Sequence, residues 1–380
     1  MATVLTNARL VTPQKVWTGT LVLDGETIAA VDDHITHAAG AEDLGGDYLM
    51  PGMIDLHTDA LEKHTIPRPH VNFEIPLATV AHDAQTTTSG ITTVFESLGA
   101  GGTVAHPERD ETLIPMLDGL LRTQQAKMLR GEHLVQLRCE ITNAKVLEIF
   151  EQVIGHPLVR LISINDHAPG HRQYPDIPYY RKKHMRNHGL TAEEMDRHVE
   201  RMVEQSQKYG PARRAAIVEQ SRARSIPLAS HDDRTRDDVD LAIREGAVIA
   251  EFPISCEAAE HARDHGIQVL SGSPNLVRGG SHHPGNLATK DLACRRLVDI
   301  LVSDYVPISL LRGAFKLTEA DIGWSLPDAI MTVTANPARA VGMNDRGELV
   351  AGRRADVIQV RVIEGIPIVR RVWIRGARVA

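Results

Sequence analysis

The sequence predicts an α/β protein: a (β/α)8 TIM-type barrel with a small β-sandwich domain formed from both ends of the chain. The length of 380 residues suits one large barrel with an appendage. Between residues 51 and 335, short apolar runs alternate with helix-like stretches, which is typical of parallel strands joined by crossover helices. Both ends of the chain are instead rich in strand-like segments.

The chain ends carry β-branched and apolar residues broken by turn dipeptides. Asp24-Gly25 divides the first strand pair and Glu364-Gly365 divides the last. The strand-like segments are Val4–Val11, Thr20–Val31, Asp356–Val362 and Ile366–Ile374. We therefore assign residues 1–50 and 341–380 to one composite β domain and residues 51–340 to the barrel.

Eight apolar runs supply the barrel strands. They are Met53–Leu56, Ile91–Phe95, Leu134–Leu137, Leu158–Ile164, Ile226–Ala229, Val248–Phe252, Gln268–Leu270 and Leu297–Val302. Eight runs fit a TIM barrel. A doubly wound open sheet is the alternative, but no GxGxxG motif follows the first run.

Two helices between and after these runs have recognisable boundaries. Thr191 with Glu194 three residues later forms a capping box for a helix toward Lys208, and Gly210-Pro211 is expected to break that helix. A further helix is predicted over 328–340, with an interruption at Asn336-Pro337.

Polar residues follow five of the apolar runs, at the strand ends where TIM barrels build their active sites. His57 and Asp59 alternate along the first run and should point the same way. The complete set of candidate metal ligands is His57, Asp59, Glu140, His167, His231 and Asp304. Imidazoles and carboxylates bind divalent ions, so we expect one or two ions, with zinc the first candidate. Manganese, iron and magnesium remain open.

Two of these candidate ligands have further expected roles. Glu140 is the candidate bridge between two ions. Bound ions lower the pKa of water and stabilise the attacking and leaving oxygens. Asp304 is the candidate catalytic base that would take the proton of the attacking water, and the alternative is that Asp304 is a ligand only.

Cationic and polar residues in the loops beyond these strands predict an anionic substrate. A glycine-rich loop over 271–283 would let backbone N–H groups approach a phosphate, and Arg278 could bind it bidentately. For Arg278, a structural ion pair is the alternative. The candidate substrate-binding residues are Lys63, Arg68, Arg172, Asn275, Arg278 and His282.

Charge and cysteine content exclude several classes of protein. The net charge of −7 argues against a broad nucleic-acid interface. Three cysteines without a CxxC pair indicate a reducing cytoplasm instead of a disulfide framework. No signal peptide and no membrane-spanning apolar run is visible, so no membrane partner is expected. A homo-oligomer is compatible with the sequence.

The barrel's two boundary motifs resemble those of the amidohydrolase superfamily. Residues 50–57, Met-Pro-Gly-Met-Ile-Asp-Leu-His, resemble the segment that opens that barrel, and residues 347–356 resemble the "GxLxxGxxAD" return to the small domain. Asp59 departs from the usual second histidine of HxH. Because no strand-end lysine suits carbamylation, the resemblance implies that Glu140 takes the bridging place.

A longer series of motifs is similar to one family, the α-D-ribose 1-methylphosphonate 5-triphosphate diphosphatases of the carbon–phosphorus lyase pathway. The similarity runs from about residue 4 to residue 375. The motifs are His57–Lys63, Pro67–Pro69, Ser89–Val94, Leu137–Glu140, Asp166–Gln173, Leu228–Asp233, Ala250–Pro253, Pro274–His282 and Ser303–Tyr305.

The resemblance implies hydrolysis of a ribosyl phosphonate 5-triphosphate to the 5-phosphate and pyrophosphate. Attack would fall on the phosphorus nearest the ribose, and the loop cations would neutralise the triphosphate. A cyclic amidase or deaminase of the same superfamily is the first alternative, since it would use the same metal site without the cationic loops. A metal-free binding protein on the same barrel is the second.

Overall fold

The structure is a computed structural model that describes residues 2–68, 71–104, 106–281 and 286–380. Over these residues it contains two eight-stranded sheets. The strands are β1 (Thr3–Val11), β2 (Val16–Asp24), β3 (Thr27–Asp32), β4 (Glu42–Asp43), β5 (Tyr48–Pro51), β6 (Met53–Thr58), β7 (Ile91–Ala100), β8 (Glu132–Glu140), β9 (Val159–Asn165), β10 (Leu228–His231), β11 (Ile249–Glu251), β12 (Gln268–Gly272), β13 (Ile300–Val302), β14 (Val357–Ile363), β15 (Ile366–Ile374) and β16 (Ala377–Arg378).

The helices lie mainly between the strands of the second sheet. They are α1 (Ala60–Thr65), α2 (Ile75–Thr88), α3 (Arg109–Gln125), α4 (Val146–Val153), α5 (Ile177–His188), α6 (Ala192–Glu204), α7 (Gly210–Ala223), α8 (Arg236–Glu245), α9 (Cys256–Asp264), α10 (Ser273–Arg278), α11 (Thr289–Cys294), α12 (Ser309–Leu317), α13 (Leu326–Met331) and α14 (Ala335–Ala340). None of these described helices is long and apolar enough to cross a membrane.

The barrel sheet joins β6 to β13 in chain order, with every neighbouring pair parallel. Each of the eight apolar runs overlaps one of these strands, so the predicted TIM-type barrel is confirmed. A bridge between Thr58 and Asp304 closes the sheet. There, the amide of Asp304 donates to the His57 carbonyl at 3.0 Å, and the amide of Asp59 donates to the Asp304 carbonyl at 2.7 Å.

As predicted, strands from both chain ends come together in the small domain, and they form one mixed sheet where the sequence predicted a β-sandwich. Its strand order is β16-β15-β14-β5-β1-β2-β3, with β4 beside β1. Strand β5 pairs with β14 on one side and β1 on the other, then leads through Gly52 directly into the barrel. A Cβ at Gly52 would lie only 2.4 Å from the Thr92 hydroxyl, so this junction requires glycine.

The helix boundaries correct two sequence predictions. Thr191 and Glu194 form the predicted capping box of α6, but Gly210-Pro211 does not break the chain into a loop. A π-helical stretch over 205–209 connects α6 to α7, and Pro211 lies in the first turn of α7, where its missing N–H costs nothing. In the later segment the break falls at 332–334, because Pro337 likewise sits in the first turn of α14.

A buried charge network fastens α2 to strands β7 and β8. The Nδ1 of His133 lies 2.8 Å from Glu96, and its Nε2 lies 3.3 Å from Asp83. His82 adds a contact to Glu96 at 3.0 Å, and Arg130 donates to Asp83. Burial alone would lower the pKa of His133, but its two carboxylate partners outweigh burial and raise it to about 9. Two cations thus balance two carboxylates.

We expect this network to make stability depend on pH. His133 has a higher pKa in the folded chain than the ~6.5 of an unfolded chain. Its contribution to the free energy of unfolding is therefore complete below pH ~6.5 and is lost as the pH rises through about 9. The stability advantage of the wild type over His133→Gln should therefore shrink by about 3 kcal/mol between pH ~6 and ~10. Urea unfolding across this range measures it. His34→Gln, an exposed control, should run parallel to the wild type. Parallel curves for His133→Gln would contradict the expectation.

Candidate metal centre and its cavity

The residues at the barrel mouth leave their strands through an uncommon backbone conformation. Asp232, Phe252 and Asp304 have φ angles of 55°, 53° and 55°, within two residues of the ends of β10, β11 and β13. Such left-handed conformations are costly for non-glycine residues and concentrate at functional sites. Two of these residues, Asp232 and Asp304, direct carboxylates into the groups described next.

The first group consists of His57, Asp59 and Asp304, whose ligand atoms all lie within 4.8 Å of one another. The Nε2 of His57 lies 3.7 Å from Asp59. Arg138 also reaches Asp59, at 3.2 Å. The sequence predicted all three members of this group as ligands.

The second group consists of His167, His231 and Asp232, again with ligand atoms within 4.8 Å of one another. The Nε2 of His231 lies 3.4 Å from the Oδ2 of Asp232, and that of His167 lies 3.9 Å from the same oxygen. This oxygen is buried and has no hydrogen-bond partner. A buried carboxylate oxygen facing two imidazoles is a suitable position for a cation.

Glu251 connects the two groups from below. Its carboxylate is fully buried and lies 2.7 Å from the Nδ1 of His57 and 2.6 Å from the Nδ1 of His231. Gln136 and Ser163 donate to it as well. Burial would raise the pKa of Glu251, but the two histidines outweigh burial and hold it well below its usual value. Glu251 is therefore an ionised acceptor, so both Nδ1 atoms donate to it and both Nε2 atoms face the cavity.

Glu140 plays the corresponding part for His167. Its carboxylate lies 2.5 Å from the Nδ1 of His167 and also accepts from the Thr142 hydroxyl at 2.5 Å. In this arrangement Glu140 stands behind His167 and orients its ring, whereas the sequence analysis expected Glu140 to bridge two ions.

The donor set fits divalent cations. Three imidazoles with carboxylates behind them and three carboxylates beside them form two separate three-ligand groups, which suits two ions. Three protein ligands per ion leave coordination positions open for substrate or water, as catalytic sites require. Mixed nitrogen and oxygen ligands accept zinc as well as manganese or iron.

Asp304 differs electrostatically from its neighbours. Burial and then the nearby charge of Asp59 raise the pKa of Asp304 to about 6, whereas the guanidinium of Arg138 and the imidazole of His57 outweigh burial and lower the pKa of Asp59. Two carboxylates with pKa values shifted in opposite directions are a common arrangement for acid–base catalysis.

The first group, His231 and Asp232 line a cavity of about 440 Å³, here called the main cavity. Arg278 and Asn275 also line it. Asn275 is held by bonds to the backbone of Leu287 and Thr289, while Arg278 is exposed and pairs with no acidic residue in the described ranges.

Three of the remaining predicted substrate residues do not line the main cavity. Lys63 is at the rim, where it donates to the Tyr305 carbonyl at 3.1 Å. Arg68 is an exposed loop residue, and His282 falls outside the described residues. Arg172 is buried and binds Asp233 and the His231 carbonyl, so the structure uses it to brace the end of β10.

The site residues predicted from the sequence did not include Asp232, Glu251 or Arg138. Asp232 follows His231 directly and would have qualified as another polar residue at a strand end. Glu251 is a carboxylate inside an otherwise apolar run, and such a residue needs a buried partner. Arg138 is a cation on a predicted barrel strand, so it likewise needs a buried partner of opposite charge.

Comparison with known proteins gives one close relative. The chain is 38% identical over 377 residues to the α-D-ribose 1-methylphosphonate 5-triphosphate diphosphatase of Escherichia coli (strain K12), covering 99% of this chain and 100% of the relative. No family model matches the chain.

Solved structures share the fold at low sequence identity. The N-acetylglucosamine-6-phosphate deacetylase of Pasteurella multocida superposes with a TM-score of 0.66 at 13% identity, covering 100% of both chains. A crystal structure of an amidohydrolase gives a TM-score of 0.62 at 16% identity, covering 100% of this chain and 99% of the other. The fold of this chain is therefore that of amidohydrolases.

Replacing Glu251 should weaken metal binding. In Glu251→Gln an NH2 group replaces one of the two accepting oxygens, and this group donates and cannot accept from an Nδ1–H, so at least one of the two histidines loses its orientation. We expect the affinity for zinc to fall by roughly 10–100-fold, the usual effect of losing a carboxylate behind a metal-binding histidine. Competition with a chelator measures the affinity. Glu257→Gln, an exposed carboxylate change on α9, is the matched control. Equal affinities for the two variants would contradict this role of Glu251.

Proposed function

This chain belongs to the family of α-D-ribose 1-methylphosphonate 5-triphosphate diphosphatases, and we propose that it hydrolyses this triphosphate to the ribosyl 5-phosphate and pyrophosphate. The family membership rests on 38% identity over the full length of the relative. The observation that carries the proposal is the pair of histidine–carboxylate groups, joined by Glu251, beside the main cavity.

The charge distribution supports a polyphosphate substrate. Two divalent ions in the two groups would stabilise negative charge on the attacking and leaving oxygens and polarise the phosphoryl group. Arg278 at the main cavity is free of acidic partners in the described ranges and can therefore bind a phosphate bidentately. Zinc is the first ion to test, because imidazole ligands suit it.

Asp304 is the proposed base. During hydrolysis a water oxygen bonds to the phosphorus nearest the ribose. The bond from that phosphorus to the oxygen it shares with the next phosphorus breaks. The water gives up a proton, and pyrophosphate departs. Asp304 lines the cavity beside His57 and Asp59, and its carboxylate can accept this proton.

Isotope labelling tests the reaction and the site of attack together. The zinc-loaded protein should release pyrophosphate from α-D-ribose 1-methylphosphonate 5-triphosphate, and in oxygen-18 water the label should appear in the ribosyl 5-phosphate. Mass spectrometry of both products measures this. Label in pyrophosphate would show that water attacks the next phosphorus instead. Absence of pyrophosphate, together with ring opening of a hydantoin or dihydroorotate, would favour a cyclic amidase instead.

Asp304→Asn separates the two roles considered for this residue. Loss of a general base should reduce pyrophosphate release by roughly 10²–10⁴-fold, while zinc content stays largely intact because the amide keeps one oxygen ligand. Asp321→Asn, an exposed change, is the control. Turnover and zinc lost together would assign Asp304 as a ligand only, and near-normal turnover would exclude it as the base.

A further inference from the structure

A second cavity, here called the side cavity, adjoins the metal centre. It has a volume of about 280 Å³. Asp59, Arg138 and Gln173 line both cavities, whereas His167 faces the side cavity and His231 faces the main one. The candidate metal centre therefore stands at the junction of two separate spaces.

The far wall of the side cavity is aromatic and comes from the segment after β9. Tyr174 and Tyr180 pack edge to face with ring centroids 5.0 Å apart, and the ring of His184 lies 4.2 Å from that of Tyr180. Both hydroxyls already have protein partners, since that of Tyr180 bonds to His198 at 2.8 Å and that of Tyr174 accepts from Lys183 at 3.2 Å.

His184 is the exception in this wall. It is only 6% exposed, it lines the side cavity, and neither of its ring nitrogens has a hydrogen-bond partner. A buried polar side chain without a protein partner is available to hydrogen-bond a molecule in the cavity. Burial, followed by the charge of Lys183, lowers the pKa of His184 to about 4, so the ring is neutral. A neutral imidazole offers one donor and one acceptor, which matches a sugar hydroxyl.

The two cavities also differ in available positive charge. In the side cavity, Arg109 is bound bidentately by Glu62, and Arg138 is bound by Asp59. The main cavity contains Arg278, which has no acidic partner in the part of the chain that the structure describes. The pyrophosphate half therefore finds a free cation in the main cavity, and the ribose ring of the other half finds aromatic rings and one unpartnered imidazole in the side cavity.

We propose that the side cavity binds the ribosyl end of the substrate, with His184 as a specificity-determining residue for the ribose hydroxyls, while the main cavity binds the departing pyrophosphate. This assignment rests on the proposed function, because it needs a bond cleaved between two unlike halves. The scissile bond then lies at the junction where the metal groups stand, and each product remains in its own cavity.

Product binding to two variants of the zinc-loaded protein tests the assignment. In His184→Leu, the dissociation constant of α-D-ribose 1-methylphosphonate 5-phosphate should rise by about ten-fold, and that of pyrophosphate should not change. In Arg278→Leu the reverse is expected. Calorimetric titration measures all four constants. In turnover, His184→Leu should raise KM more than it lowers kcat.

Two further variants separate recognition from structural damage. His184→Gln keeps a donor and an acceptor and should recover part of the affinity. His188→Leu changes the exposed histidine one turn along α5, whose ring stacks 5.5 Å from that of His184, and should bind both products normally. The inference is overturned if His184→Leu binds the ribosyl product as the wild type does, or loses both products equally. If the wild type does not hydrolyse the triphosphate, the proposed function itself fails.

Discussion

The hydrogen bonds that close the barrel are the constraint on which the candidate centre depends. The backbone of Asp304 bonds to that of His57 and of Asp59, so the same contacts that join the last strand to the first also assemble a ligand group. These residues are about 245 positions apart in the sequence. Because backbone bonds fix their separation, the three ligand atoms are brought together before any ion is present, which lowers the entropic cost of binding one.

Glu251 holds the ligand histidines in place from the barrel interior. One carboxylate receives four donors, from His57, His231, Gln136 and Ser163, and so a fully buried charge is hydrogen-bonded at both oxygens. Burying such a group unpaired would be costly. In this way one side chain orients two imidazoles at once. The two ligand groups are thereby coupled, because any movement of Glu251 disturbs both.

The sequence was sufficient for the barrel because eight apolar runs that alternate with helix-like stretches leave few other folds. The polar residues that follow these runs then included five members of the two ligand groups. Asp232 was missed for a physical reason: strand alternation sends it to the face opposite His231, but its left-handed backbone turns it back. Glu251 was missed because it lies within a strand. Arg172 shows the opposite error, since a long cation beside the mouth can reach inward to a buried carboxylate.

The composite small domain has a consequence for how the protein is made. Strand β5 leads straight into the barrel, yet its partner β14 begins at Val357, after the whole barrel has been synthesised. Until that last segment leaves the ribosome, one edge of β5 in the nascent chain has unpaired backbone N–H and C=O groups. A chain truncated before β14 would therefore contain the whole barrel sequence but leave an edge of β5 unpaired. Such an exposed edge promotes aggregation and makes the truncated chain a substrate for chaperones and proteases.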